Sequence, residues 1–249
     1  GLFLLLAIAI FWPLFPNVWY PVHDTTSIAR AYLLADSLRH GQIPALWAFP
    51  IQYPLFHFYA PLFTYLSLGV KALSGSYFLG VKLVLFATCL IGTLGMYRLA
   101  SRWGRVAGLL SATAFALLPY AAVNLYVRGA YAEYLSLNLL PWVFWAWSDI
   151  SGNRRQLFAG IITTLFLLSH NLIPLITFPF LLVWIIIHRP STIVHYLLPT
   201  FVTLGLGAFY LLPLFFERQF VVADAIAQTT DYARHFVAPS QLWNSLWGF

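Results

Sequence analysis

Eight apolar runs, roughly residues 2–20, 56–73, 78–99, 106–125, 134–147, 157–168, 172–187 and 193–216, follow one another along this chain with short polar joints between them. A helix needs about 20 residues to cross a bilayer, and somewhat fewer where the bilayer thins or neighbours cover it. Hydrophobic residues make up 61% of the chain and charged residues 8%, with a mean hydropathy of +0.80. A soluble globule has no way to cover that much apolar surface, so the chain reads as an all-α, polytopic membrane protein. Its net charge of +6 is scattered between the apolar runs. It therefore bears on orientation in the membrane and gives no reason to expect a nucleic-acid partner. Cys89 stands alone inside an apolar run, which leaves no disulfide within the chain and no basis for a zinc site. The first run begins at Gly1 without a basic flank, and no closing apolar run precedes Phe249, so both ends read as truncated.

The side assignments depend on one run. If all eight cross and the His23-Asp24 loop is outside, then Arg98, Arg102 and Arg105 face out, while Arg128 and Glu133 face in. That inverts the positive-inside rule for the densest basic cluster. Residues 56–73 carry His57, Pro61, Thr64, Ser67 and Gly69, which suit a segment lying in the interface or dipping in and returning. Without that crossing, Arg98, Arg102, Arg105, Arg154, Arg155 and Arg189 all fall inside. His23-Asp24, Arg128 to Glu133, Ser169-His170-Asn171 and Glu217-Arg218 all fall outside. The expected architecture is one membrane domain over 1–249 with about seven spans. Its first outer loop, 21–77, holds two juxtamembrane helices, and 217–249 begins a second large outer loop. In the first loop, Asp24-Thr25-Thr26-Ser27 starts a helix and Gly41 stops it. Ile28, Tyr32, Ala35 and Leu38 make its expected apolar stripe, with Arg30, Asp36, Ser37 and Arg39 on other faces. Pro44, Trp47, Pro50, Tyr53 and Pro54 then form a stiff aromatic loop suited to the headgroup layer.

Only seven carboxylates occur in the chain, and an acid held at the end of a span is costly and usually functional. Asp24 suits a helix N-cap, and equally a general base or a metal ligand; two carboxylate oxygens allow both. Arg128 and Glu133 can simply pair with each other. Alternatively, the guanidinium fork binds a phosphate while the acid holds a divalent cation or orients a sugar hydroxyl. Gly129 permits a tight turn between them. His170 and His23 can each cap a helix, meet lipid headgroups, donate to a phosphate or accept a proton. Glu217-Arg218 reads as a solvated boundary, and Asp149 as a local partner of Arg154-Arg155. The chain contains no glycine-rich phosphate loop, no His-Glu-x-x-His and no Cys pair, so ATP-driven and zinc-protease chemistry have no footing. No acid sits in mid-span, which weakens a proton- or sodium-coupled transporter.

The order of these motifs resembles a known superfamily. An apolar run, His23-Asp24, a surface helix ending in Arg39-His40-Gly41-Gln42-Ile43-Pro44, and then Tyr59-Ala60-Pro61-Leu62 resemble the first outer loop of GT-C-fold membrane glycosyltransferases. Arg128-Gly129-Ala130-Tyr131-Ala132-Glu133 followed by Leu140-Pro141, and Leu168-Ser169-His170-Asn171, narrow the likeness. These segments are similar to bacterial membrane proteins labelled as related to 6-pyruvoyl-tetrahydropterin synthase. The resemblance covers most of the chain. It implies transfer of a sugar from a polyprenyl-phosphate donor on the extracytoplasmic side of a bacterial cytoplasmic membrane. Asp24 maps onto the catalytic acid of the first outer loop, and Glu133 onto a second acid. His23, Arg128, Tyr131, His170 and Asn171 are the expected substrate- and phosphate-binding group. Any divalent cation would rest on Asp24 and Glu133. The expected partners are membrane lipids and the lipid-phosphate sugar. The pterin label implies a His-rich zinc site that the sequence does not contain. Two readings from other classes stand beside the enzyme: a lipid or small-solute transporter, and a non-catalytic membrane scaffold.

Overall fold

The computed structural model describes residues 1–16, 22–45, 47–48, 53–57, 59–188 and 194–217. Ten α-helices account for most of them: α1 Leu2–Phe11, α2 Thr26–Arg39, α3 Leu62–Ser74, α4 Tyr77–Ala100, α5 Arg105–Ala116, α6 Pro119–Val123, α7 Tyr131–Trp147, α8 Asn153–Ser169, α9 Leu172–His188 and α10 Val194–Phe216. The chain is an all-α membrane protein. Three helical segments among the described residues are long and apolar enough to cross a bilayer: Tyr77–Trp103, Arg105–Arg128 and Val194–Phe216. The 17 residues of α7, α8 and α9 sit at the lower limit for a span. α3, with 13 residues, is only about 20 Å long against about 30 Å of hydrocarbon.

α4 and α7 form the centre. α4 packs on α3, α5 and α7, α7 packs on α8, and α8 packs on α10. Close approach is bought by small residues, as lipid supplies no hydrophobic force between helices. A Cβ at Gly92 of α4 would overlap the Asn138 side chain of α7. Trp142 of α7 donates to the Ile91 carbonyl at 2.7 Å, and Trp147 donates to Thr163 of α8 at 2.8 Å. On α9 and α10, Leu175, Ile176, Phe180, Ile186, Phe201 and Leu204 are exposed, as a lipid-facing surface requires.

Several local expectations change. The apolar run 106–125 is not one unbroken helix. Proline disfavours helix at the residue before it, and Leu118 is extended (ψ 128°) before Pro119 restarts the chain as α6. In the run 56–73, helix begins only at Leu62. α2 buries Ser27, Ala31, Leu34, Ala35 and Ser37, while Tyr32 is 57% exposed. The stripe is rotated because small residues let α2 lie close against its neighbours. Ser37 satisfies its hydroxyl on the Leu33 and Trp47 carbonyls at 2.9 and 3.0 Å. The aromatic loop contains a short antiparallel ribbon, with Trp47 opposite Pro54 and Ala48 opposite Tyr53; Pro50 lies outside the described residues. Glu217 is not a solvated boundary. It binds the ring of buried His57, which ties the aromatic loop to the end of α10. Arg189, expected on the inner side, and Arg218 with the rest of the expected second outer loop lie outside the described residues.

Candidate functional site

The joint between α6 and α7 is built by an unusual turn. Residues Asn124–Arg128 form one π-helical turn, and Gly129 then takes a left-handed conformation (φ +70°) before α7 starts at Tyr131. This reversal sets Arg128 beside Glu133. Arg128 Nη1 donates to the Tyr120 hydroxyl at 2.7 Å, to Asn124 Oδ1 at 2.8 Å and to Glu133 Oε1 at 3.2 Å, and lies 3.1 Å from Oε2. The Tyr120 hydroxyl donates to Glu133 Oε1, and Asn124 Nδ2 approaches the same oxygen at 3.5 Å. Glu133 is 8% exposed, so its charge needs this compensation. The pairing that the sequence allowed is present. It runs through Nη1 alone: among the described residues nothing bonds to Nη2 or Nε, and the Arg128 side chain is 42% exposed. The inner corner of the fork is anchored and its outer edge is open.

Asp24 is zipped to the same joint. The His23 amide donates to the Val127 carbonyl and the Asp24 amide to the Arg128 carbonyl, both at 2.8 Å. Gly129 makes this approach possible, since a Cβ there would stand 2.5 Å from the Asp24 carbonyl oxygen. Asp24 Oδ1 accepts from the Thr26 amide at 2.9 Å and from the Thr26 hydroxyl. The expected N-cap role shifts by one residue: Thr25 is the N-cap of α2, and Asp24 ties down the first helical amide from the position before it. Its Oδ2 lies 3.6 Å from Arg30 Nη1 and makes no other bond among the described residues. Arg30 is largely buried, with its guanidinium 3.6 Å from the centre of the Tyr59 ring. Tyr131 is buried against Phe63 (5.7 Å between ring centres) and lies within electrostatic reach of Asp24. Asp24 and Glu133 do not bond to each other. The His23 side chain is exposed, so its hold on the joint is through the backbone.

His170 sits at the α8–α9 joint. Its Nδ1 accepts the amides of Leu172 and Ile173 at 3.1 and 3.2 Å, and Asn171 Oδ1 accepts the Leu172 amide at 3.1 Å. An Nδ1 that accepts leaves the ring proton on Nε2. Burial lowers the His170 pKa from its ordinary value; Glu133 opposes that shift and Arg128 adds to it. Among the described residues, no group of three or more His, Cys, Asp or Glu could hold a metal ion. The oxygens of Glu133 already face a guanidinium, which disfavours a second cation beside them.

Sequence reasoning missed Arg30, Tyr120, Asn124 and the His57–Glu217 pair. Tyr120, Asn124 and Arg128 recur every fourth residue, a helical stripe legible in principle. The His57–Glu217 pair spans 160 positions and left no local signal. The family described as 6-pyruvoyl-tetrahydropterin synthase related domain, a membrane protein, matches residues 56–241. The chain belongs to this family. The matched stretch contains Arg128, Tyr131, Glu133, His170 and Asn171 but not His23 or Asp24. No curated protein and no solved structure matches the chain. The family description agrees with the membrane setting. Its pterin name finds no counterpart in a metal-binding cluster among the described residues.

Proposed function

We propose that the chain is a GT-C-like glycosyltransferase that moves a sugar from a polyprenyl-phosphate donor to an acceptor hydroxyl at the extracytoplasmic face of a bacterial cytoplasmic membrane. Its membrane domain would have about seven spans, with α2 and α3 lying at the outer surface. The observation that carries the reading is the joint where Asp24 is hydrogen-bonded, through the backbone, to an arginine whose outer edge is open. Asp24 Oδ2 takes the proton of the acceptor hydroxyl as its oxygen attacks the anomeric carbon. The bond from that carbon to the phosphate oxygen breaks, and the configuration inverts. Charge gathers on the departing lipid phosphate, and in this reading the outer edge of Arg128, with the Nε2–H of His170, neutralises it. Glu133 holds Arg128 in register, and Asn171 and Tyr131 shape the sugar's surroundings.

The rival readings are a lipid or small-solute transporter and a scaffold. A transport path needs polar groups at mid-depth, whereas these charges gather at helix joints. Arg128→Lys tests the phosphate role. Lysine keeps the charge but cannot offer an open edge while its only nitrogen is tied to Glu133. Binding of a short-chain polyprenyl phosphate should weaken clearly in the variant; unchanged binding would make Arg128 a structural partner of Glu133.

A further inference from the structure

At the other end of α7 lies a second polar feature that the proposed transfer does not use. A 17-residue helix is about 25 Å long, so this end is remote from Glu133. There, Arg98, Arg102, Trp142, Trp145, Asp149, Arg154, Arg155 and Phe158 line a cavity of about 460 Å³. Four arginines face it against a single carboxylate. Asp149 is taken by Arg155 and by the Ser151 amide, at 3.2 Å in the second case. Arg102 Nη2 is held by the Trp145 carbonyl at 3.3 Å. Arg98 and Arg154 have no acidic partner among the described residues. The start of α8 also carries no side-chain cap, and such a helix start favours an anion.

The walls are ordered and apolar. Trp142 and Trp145 meet edge to face at 5.6 Å, and Phe158 packs on both, at 6.3 and 5.8 Å. The Trp142 indole is fixed by its bond to the Ile91 carbonyl. Phe158 is 37% exposed, and Leu157 and Ile161 beside it on α8 are exposed too. Orienting charges need only be on the correct side of the membrane. They need not converge on one cavity floored by three rings. We propose that this pocket binds a phosphate group carried on an apolar tail, that is, a lipid phosphate in the leaflet at this end of the bundle. The arginine forks take the phosphate oxygens, and the aromatic wall takes the start of the tail.

The test uses the full chain in a neutral detergent, with dihexanoyl phosphatidic acid, dihexanoyl phosphatidylcholine and inorganic phosphate titrated separately by calorimetry. Phosphatidic acid should bind and the choline lipid should not. Arg98→Gln and Arg154→Gln, both at exposed positions, should each weaken phosphatidic acid about tenfold, the size of one lost charge-assisted bond. Arg105→Gln removes the same charge from the same end but outside the cavity, and should change affinity little. Inorganic phosphate binding as tightly as phosphatidic acid would overturn the lipid assignment, since the aromatic wall would then add nothing, and would leave a pocket for phosphate from the aqueous side. Equal binding of the choline lipid, or an Arg105→Gln loss as large as the other two, would overturn the proposal. A melting curve for each variant separates lost binding from lost folding.

Discussion

Gly129→Ala is the substitution that most directly probes how the site is assembled, because two separable costs meet at that residue. Its φ of +70° is left-handed, a conformation that costs an L residue about 1–2 kcal/mol. In addition, the new Cβ would stand 2.5 Å from the Asp24 carbonyl oxygen and 2.7 Å from Val22 Cγ2. The first of these is backbone and cannot swing aside without breaking the His23–Val127 and Asp24–Arg128 bonds. Overpacking of this kind costs about 1–3 kcal/mol. Gly41 supplies the control, since its φ is +78° but a Cβ there meets nothing within 4 Å. Gly41→Ala should therefore carry only the conformational cost. For a chain of this size each kcal/mol moves the melting temperature by about 2–4 °C. Gly129→Ala should accordingly melt about 2–12 °C below Gly41→Ala. Hydrogen exchange at the His23 and Asp24 amides, followed by mass spectrometry, should accelerate in Gly129→Ala alone. Equal melting of the two variants, with both amides still protected, would refute the claim that Gly129 brings Asp24 to Arg128.

Two further outcomes follow from the same geometry. His170 accepts two amides through Nδ1, and its folded pKa is lowered from the ordinary 6.5. Its contribution to stability is thus fully present above about pH 6.5 and is lost as the pH falls through the lower folded value. Asn at 170 offers an acceptor that does not titrate in this range, so His170→Asn should flatten the acid limb of a melting-temperature profile; an equally steep limb in the variant would remove this role. Topology is checked by single cysteines at Ser74 and Ser101 in intact cells treated with an impermeant thiol reagent. Ser74 should be labelled and Ser101 should not, and the reverse pattern would sink the seven-span arrangement.

The helices were largely legible because a membrane span announces itself through composition. Runs at 78–99, 157–168, 172–187 and 193–216 reappear within a few residues as α4, α8, α9 and α10. Legibility fell where tertiary packing chooses among local options. Tyr32 and Ser37 exchanged places because hydrophobicity suggests which residues to bury, whereas α2 buries those small enough for close approach. Pro119 carries the mark of a break in ordinary proline sterics, which reading 106–125 as one run passed over, and the π turn that follows has no such mark. In the site, Arg128 and Glu133 were close enough in sequence to be read as partners. The attachment of Asp24 to the Arg128 backbone spans 104 positions, 128 − 24, and could not be read from periodicity. Arg30 looked like a solvent-face charge, yet it stacks on Tyr59 and faces Asp24.

The central claim is that Asp24 is a base and not only the start of α2, and Asp24→Asn decides it. Asparagine keeps an oxygen for the Thr26 amide and caps helices about as well as aspartate, so the start of α2 should persist, with a lowered melting temperature because the largely buried Arg30 loses its charged partner. It cannot take a proton from an acceptor hydroxyl, and loss of a general base typically costs about 10²–10⁴ in rate. The measurement is sugar transfer from a polyprenyl-phosphate donor by the membrane-embedded protein, with thermal unfolding run on the same preparation. A fall of about 10²-fold or more in a protein that is still fully folded at the assay temperature is the expected result. Undiminished transfer by a well-folded Asp24→Asn protein would contradict it and return Asp24 to its structural role.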